Sequence, residues 1–298
     1  MKNNQSLINI IKQSYDLHVH MGPEVIPRKY DTTEKLIKSL SGKMAGIALK
    51  NHFFCTSPIA ATASAGNLKI LGSVVLNNFV GGLNPDAIYA ASTLSDDPFV
   101  VWFPTINAKQ FLDNSTWEVA PEWIDSSVVF SARKAVDVPG IRLLDRANKL
   151  TSATIAVLNA IKQTDAILAT GHVSWQESRV LIKKAANIGI KRIIVTHPIY
   201  QRVAMPMTVQ KELARLGAKI EQCWSMWKID NIAIKEIANQ IKSLGAVNCI
   251  ITSDSGQSFS PPPYEALYDF CMALFKENIS FRELKTMCVT NPKKLISR

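Results

Sequence analysis

Eight short apolar runs, separated by segments with helix signals, are the feature that most limits how this chain of 298 residues can fold. Several runs, such as ILGSVVL and CIIT, are almost continuously apolar, which is typical of parallel strands buried on both faces. The predicted strands are residues 15–20, 46–53, 70–77, 99–104, 166–172, 192–197, 219–223 and 249–254. Strands that alternate with helices form a doubly wound sheet or a barrel. Eight units in this length favour an α/β fold of the (β/α)8 TIM-barrel type.

Helix signals occupy the segments between these runs. Three pairs have the spacing of a capping box: Asp31 with Glu34, Ser174 with Glu177 and Ser280 with Glu283. Three glycines stand where helices should end: Gly189, Gly217 and Gly245. The pattern predicts helices over residues 176–189 and 229–245, each followed by an apolar strand.

The alternation of strands and helices is interrupted once, between residues 107 and 149. There SSVVF and GIRLL predict a short hairpin, and this segment reads as an insertion after the fourth strand. In a barrel such an insertion lies over the catalytic face. Because no linker or repeat marks a second domain, we expect residues 1–298 to form one barrel domain with the insertion at about 107–149.

Composition excludes several classes of protein. Hydrophobic residues make up 47% of the chain and charged residues 19%, a globular balance. The net charge of +10 comes from dispersed residues, so we expect a lysine-rich surface rather than a nucleic-acid interface. The five scattered cysteines indicate neither a disulfide framework nor a cysteine zinc site. With no apolar run long enough for a membrane span and no secretory signal, we expect a cytoplasmic protein.

The histidines are concentrated where a barrel places its catalytic groups. All five fall at or just beyond the C-terminal end of a predicted strand: His18, His20, His52, His172 and His197. His18 and His20 are two apart on one strand, so their side chains point the same way and can hold one ion. Asp254 follows the last strand and adds a carboxylate. Imidazole nitrogens with one carboxylate form a ligand set suited to a catalytic divalent metal.

This order of residues resembles the metal-site pattern of the amidohydrolase superfamily, and VTNPKKLI resembles its closing helix motif. The resemblance implies that His18 and His20 are first-strand ligands. It also implies that His172 and His197 are the fifth- and sixth-strand histidines, and that Asp254 is both a ligand and the general base. We expect a divalent metal, Zn²⁺ before Mn²⁺, Fe²⁺ or Ni²⁺.

The fourth strand departs from the superfamily pattern, because VVWFPT contains neither the lysine that is carboxylated in binuclear members nor the glutamate that replaces it. That departure favours one metal. A second metal stays open because Lys50 and His52 end the second strand, and a histidine there also resembles the polymerase-and-histidinol-phosphatase barrels. Lys50 binds an anionic substrate group, forms a carbamate that bridges metals, or extends to solvent. Glu221 is either one half of a structural ion pair or a catalytic carboxylate.

Three loop residues are candidates for substrate binding: Arg28, Tyr200 and Arg202. They follow the first and sixth strands and are suitably placed to bind a carboxylate or phosphate, although ordinary solvated loop residues would look the same.

These features predict a metal-dependent hydrolase that acts on a small anionic molecule at a C–N bond or ester. A metal-activated water would attack, Asp254 would be the base, and His197 would either bind the metal or donate a hydrogen bond to the substrate. The alternatives are a decarboxylase, a phosphoesterase, or a metal-binding sensor or scaffold without turnover. We expect a small-molecule partner and no nucleic-acid or membrane partner, and homo-oligomerisation stays open.

Overall fold

The strands of the computed structural model, which describes residues 2–24, 26–119 and 133–297, lie where the apolar runs predict them. They are β1 (Tyr15–His20), β2 (Gly46–Lys50), β3 (Lys69–Leu71), β4 (Ser73–Val75), β5 (Val100–Trp102), β6 (Ile167–Ala169), β7 (Ile193–Val195), β8 (Lys219–Cys223) and β9 (Cys249–Thr252). Only Gly72 separates β3 from β4, so the nine segments occupy eight strand positions. A Cβ atom on Gly72 would lie 2.5 Å from the Cα of Ser57, so a residue with a side chain does not fit at position 72.

Parallel pairing arranges the strands in a ring. One sheet has the order β1-β2-β3 and the other the order β4-β5-β6-β7-β8-β9. A parallel bridge between Val19 and Ser255 joins β1 to the end of β9, and the N–H of His20 donates to the carbonyl of Ser255 at 2.8 Å. The buried carboxylate of Asp16 adds to this seam by accepting the N–H of Ser253 at 3.1 Å. The fold is the predicted (β/α)8 barrel, with β5 to β9 at positions four to eight.

The helices surround these strands. They are α1 (Lys2–Lys12), α2 (Thr33–Leu40), α3 (Ser57–Thr62), α4 (Pro85–Thr93), α5 (Lys109–Asp113), α6 (Ser152–Thr164), α7 (Trp175–Asn187), α8 (Met207–Arg215), α9 (Trp224–Lys228), α10 (Ile234–Leu244), α11 (Pro263–Lys276), α12 (Phe281–Lys285) and α13 (Asn291–Ile296), with a π-helical turn at Thr286–Thr290. In the part of the chain that the structure describes, no helix has the length and apolar character needed to cross a bilayer.

Two of the three predicted capping boxes are present, at Ser174 and Ser280. The third prediction is wrong, because α2 is capped by Thr32, whose side chain accepts the N–H of Lys35. The predicted helix over residues 229–245 also begins late, at Ile234. The chain first forms the short helix α9, and Asn231 then adopts a left-handed conformation with φ 56°, which ends any continuous helix.

Only the second half of the predicted hairpin, between β5 and α6, lies within the described residues. The SSVVF stretch lies outside the described residues. Within GIRLL, Ile141 forms a parallel bridge with Ala108 and Leu144 an antiparallel bridge with Leu150, so neither residue belongs to a strand. Helix α5 brings the ring centre of Phe111 to 5.2 Å from the ring centre of His172, which places the start of this segment beside the histidines.

Inward-facing side chains and the C-terminal helix fill the barrel below those histidines. The inner cluster contains Leu17, Ala48, Leu71, Val75, Val100, Trp102, Ile167, Ala169, Ile194, Ile250, Leu295 and Ile296. Leu295 and Ile296 belong to α13, and Arg192, just before β7, donates to the carbonyl of Leu295 at 2.7 Å. Helix α13 therefore lies at the N-terminal end of the strands, opposite the histidines.

Candidate metal centre

The first and last strands of the barrel bring His18, His20 and Asp254 together. β1 ends at His20, and Asp254 follows β9 by two residues with its N–H donating to the carbonyl of His18 at 2.9 Å. Asp254 has φ 51°, a left-handed conformation that aspartate tolerates better than most residues. Gly256 has φ 132°, and a Cβ there would lie 2.1 Å from the carbonyl oxygen of His20. The turn can therefore pack on β1 only with glycine at position 256.

One oxygen of Asp254 lies between the two histidines. Its Oδ1 is 2.9 Å from Nε2 of His18 and 3.1 Å from Nε2 of His20. A tetrahedral ion with bonds of about 2.0–2.1 Å separates its ligand atoms by about 3.3 Å. The carboxylate oxygen would need to move from each nitrogen by only a few tenths of an ångström, and ligand atoms of the three residues lie within 4.8 Å of one another, so these residues fit a divalent metal.

Burial keeps four of the five imidazoles neutral, which is the form that binds metals. It holds the pKa of His20, His52 and His172 well below the ordinary value. Burial likewise lowers the pKa of His197 to about 4. Among the described residues, Nδ1 of His20, His172 and His197 is buried without a hydrogen-bond partner. Neutral imidazoles whose nitrogens have no protein partner are chemically suited to binding a divalent cation.

His18 is the exception, because carboxylates contact both of its nitrogens. Burial disfavours its charged form, but Asp254 and Glu221 outweigh that effect and raise the pKa of His18 above its ordinary value. Oε1 of Glu221 lies 3.0 Å from Nδ1 of His18, and Oε2 accepts the backbone N–H of His197 at 2.9 Å. Glu221 therefore lies behind His18 and orients it, as carboxylates do for metal-binding histidines.

Lys50 also contacts His18. Its Nζ lies 2.8 Å from Nε2 of His18 and 4.3 Å from the centre of the Trp102 ring, at the fourth strand position. Two protonated groups cannot form this hydrogen bond, so one of them is neutral. Burial lowers the pKa of Lys50. The expectation that Lys50 extends to solvent is wrong, because the side chain is buried in the barrel.

His52 lies on the far side of His20, with the ring centres 4.7 Å apart. Its Nδ1 is 2.9 Å from Oγ1 of Thr105, and its backbone N–H donates to Glu24 at 2.6 Å. Glu24 also forms an ion pair with Arg28. The ligand atoms of His20, Glu24 and His52 could in principle hold a second ion, but both oxygens of Glu24 already have partners. Sequence reasoning missed Glu24, whose only signal is its place in the loop after β1.

A cavity of about 480 Å³, counting space continuous with solvent, opens above these residues. It is lined by His20, Arg28, Lys50, His52, His172, His197, Tyr200, Ser225, Met226, Ile229, Asp230, Asp254 and Gln257. Arg28 and Tyr200 thus reach the cavity as proposed. Arg202 is not among its lining residues, and its guanidinium lies 4.6 Å from the centre of the Phe111 ring. Sequence reasoning also missed Ser225 and Asp230, although both follow the C-terminal end of β8.

Solved structures of other proteins superpose on nearly the whole chain. An amidohydrolase from Pseudomonas aeruginosa superposes with a TM-score of 0.62 at 9% identity, covering 97% of each chain. The probable dipeptidase PvdM from Pseudomonas aeruginosa gives 0.62 at 10% identity, with 99% of this chain and 96% of that chain covered. A probable 2-pyrone-4,6-dicarboxylic acid hydrolase from Acinetobacter baumannii with citric acid bound gives 0.53 at 13% identity, covering 95% and 98%. The chain therefore has the fold of the amidohydrolase superfamily.

Sequence comparison identifies a narrower group. No curated protein sequence matches the chain. The sequence profile of one family matches residues 13–221, a span that begins before β1 and ends within β8. Because this match covers more than half of the chain, the protein belongs to DUF6282, a family of unknown function.

Proposed function

We propose that this protein is a metal-dependent hydrolase that acts on a small anionic molecule at a C–N bond or ester. The observation that carries the proposal is the single Asp254 oxygen within 3.1 Å of both His18 and His20, beside a cavity lined by His172 and His197. A divalent cation bound by these residues supplies Lewis-acid activation of water and of a substrate carbonyl. Zn²⁺ suits the nitrogen and oxygen ligands best.

Asp254 is the proposed base. Burial disfavours its charge, but His18 and His20 outweigh burial and hold the pKa of this carboxyl well below its ordinary value. The group is therefore ionised at neutral pH and can accept a proton from water. The hydroxyl of Ser225 donates to Oδ2 at 2.8 Å and orients the carboxylate. After accepting the proton, Asp254 passes it to the leaving group.

His197 is the proposed contact to the substrate oxygen. Its backbone is held by Glu221, and its low pKa leaves a neutral ring that can donate one N–H to a polarised carbonyl. The same neutral ring could instead bind the metal. A His197→Ala variant distinguishes these roles, because loss of a ligand lowers metal content whereas loss of a donor lowers turnover with the metal retained.

Cationic side chains in the cavity support an anionic substrate. Arg28 and Lys50 both line it; Arg28 is held in place by its ion pair with Glu24, and Lys50 carries its charge when His18 is the neutral partner of their hydrogen bond. One structural relative was solved with citric acid bound, so a barrel of this kind can hold a carboxylate.

Metal analysis combined with a substrate panel tests the proposal. The zinc-loaded protein should hydrolyse at least one member of a panel of carboxylate-bearing amides, esters and lactones, and chelation should abolish that activity. Release of CO₂ from carboxylates or of phosphate from phosphoesters would instead identify the decarboxylase or phosphoesterase. Bound metal without turnover on any panel would favour the sensor or scaffold.

A further inference from the structure

Asp230 is an acidic residue of the cavity wall that the proposed chemistry leaves unused. It lies in the loop after α9 and is half-buried. Among the described residues, no ion pair or hydrogen bond reaches its carboxylate. Its position on the wall exposes that carboxylate to whatever occupies the cavity.

The loop holds Asp230 in a defined place relative to Asp254. The backbone N–H groups of Ile229 and Asp230 both donate to the carbonyl of Ser225, at 2.7 and 3.1 Å. The side chain of the same Ser225 donates to Asp254. One turn therefore positions both carboxylates, so the distance between Asp230 and the reacting centre is constrained.

The charges around Asp230 are unbalanced. Arg202 has the opposite sign and acts to lower the pKa of Asp230, but within the described ranges no ion pair joins the two residues, and the guanidinium lies against Phe111. Burial, with a contribution from Asp254, raises the pKa of Asp230 to about 6. A half-buried carboxylate without a counter-ion is unfavourable until a cation meets it. Because no described side chain bonds this carboxylate directly, a cationic group of a ligand in the cavity can do so.

We propose that Asp230 binds the protonated amino group of the substrate, which makes the substrate a small zwitterion such as a short peptide with free termini. Its carboxylate would face Arg28 and Lys50, and its ammonium group would face Asp230. This inference rests on the proposed hydrolase function and narrows its substrate class.

Binding of two matched amides tests the inference. L-Alanylglycine carries an ammonium group at pH 7 that N-propionylglycine lacks, and both carry the carboxylate that would face Arg28 and Lys50. Isothermal titration calorimetry on the zinc-loaded full chain should give at least about tenfold tighter binding of alanylglycine, since a charge-assisted hydrogen bond to an ionised group is worth that much. Asp230→Asn should remove most of this preference and leave the binding of N-propionylglycine unchanged, whereas Asp230→Glu should retain part of the preference. Asp96→Asn removes the same charge from an exposed position outside the cavity and should behave as the wild type.

Equal binding of the two amides by the wild type, or an unchanged preference in Asp230→Asn, would overturn the inference, and the second result would show that a group other than Asp230 recognises the amine. Far-UV circular dichroism verifies that each variant is folded. Turnover is measured separately. Hydrolysis of panel amides without the amine preference would overturn this inference and leave the hydrolase proposal standing. The amine preference without hydrolysis of any panel compound would support the role of Asp230 and contradict the hydrolase proposal.

Discussion

Oε1 of Glu221 lies 3.0 Å from Nδ1 of His18, and both side chains are fully buried. The carboxylate leaves Nε2 as the nitrogen of His18 that faces Asp254 and the cavity. Glu221 thus selects which nitrogen is available to a metal.

Replacing Glu221 with Gln should therefore weaken metal binding. The amide can keep a hydrogen bond but loses the charge that makes His18 a stronger ligand, and affinity should fall about 10- to 100-fold. Competition with a chromophoric chelator measures the change. Glu212→Gln is the matched control, because Glu212 pairs with Arg179 and Lys183 on the outside of the barrel. An unchanged affinity in Glu221→Gln would remove Glu221 from the metal site.

Metal affinity should rise with pH. The metal competes with the proton on His18, and Asp254 and Glu221 overcome burial to raise the pKa of this residue above 6.5. Below that raised pKa the folded protein holds the proton, so affinity should increase by about tenfold per pH unit and level off once His18 is neutral. Titrations at pH 6 to 9 in buffers of different ionisation enthalpy should also detect the released proton. A flat profile would mean that His18 does not bind the metal through Nε2.

The double variant His18→Ala/His20→Ala should lose the metal and remain folded. The inner cluster and α13 lie below the site and do not depend on it. Its melting temperature should nevertheless fall, because the variant leaves Glu221 buried without its imidazole partner. Elemental analysis and thermal unfolding measure the two effects. His52→Ala should keep about one equivalent of metal; loss of the ion in that variant would indicate that the proposed ligand set is wrong.

Asp254→Asn should separate binding from turnover. The amide oxygen can stay near the metal, but the side chain can no longer accept a proton at neutral pH. General acid–base assistance contributes about 10²- to 10⁴-fold, so kcat should fall by at least the lower factor while much of the metal remains. Any substrate found in the panel serves for this measurement. Equal activity would show that Asp254 is not the base and would favour a sensor or scaffold.

The sequence by itself determined the order of the barrel strands and the histidines at their ends. Buried parallel strands need continuous apolar runs, and these are visible locally, as CIIT is before Asp254. Capping boxes at Ser174 and Ser280 are equally local, since two residues three positions apart carry the signal. At α2 the same signal was ambiguous, because Asp31 and Thr32 are adjacent and only the folded backbone decided which one caps.

Only the tertiary structure decided how the polar groups pair. Glu221 and His18 are 203 residues apart, and no local pattern predicts that they share a hydrogen bond. The same holds for Lys50, which tertiary packing buries against His18 and Trp102 instead of leaving it at the rim. Ser225 and Asp230 reach the cavity because α9 turns over the end of β8. The spacing of apolar residues along the sequence indicates which face of a helix or strand is buried. The partner of a buried polar group depends instead on the packing of the whole barrel.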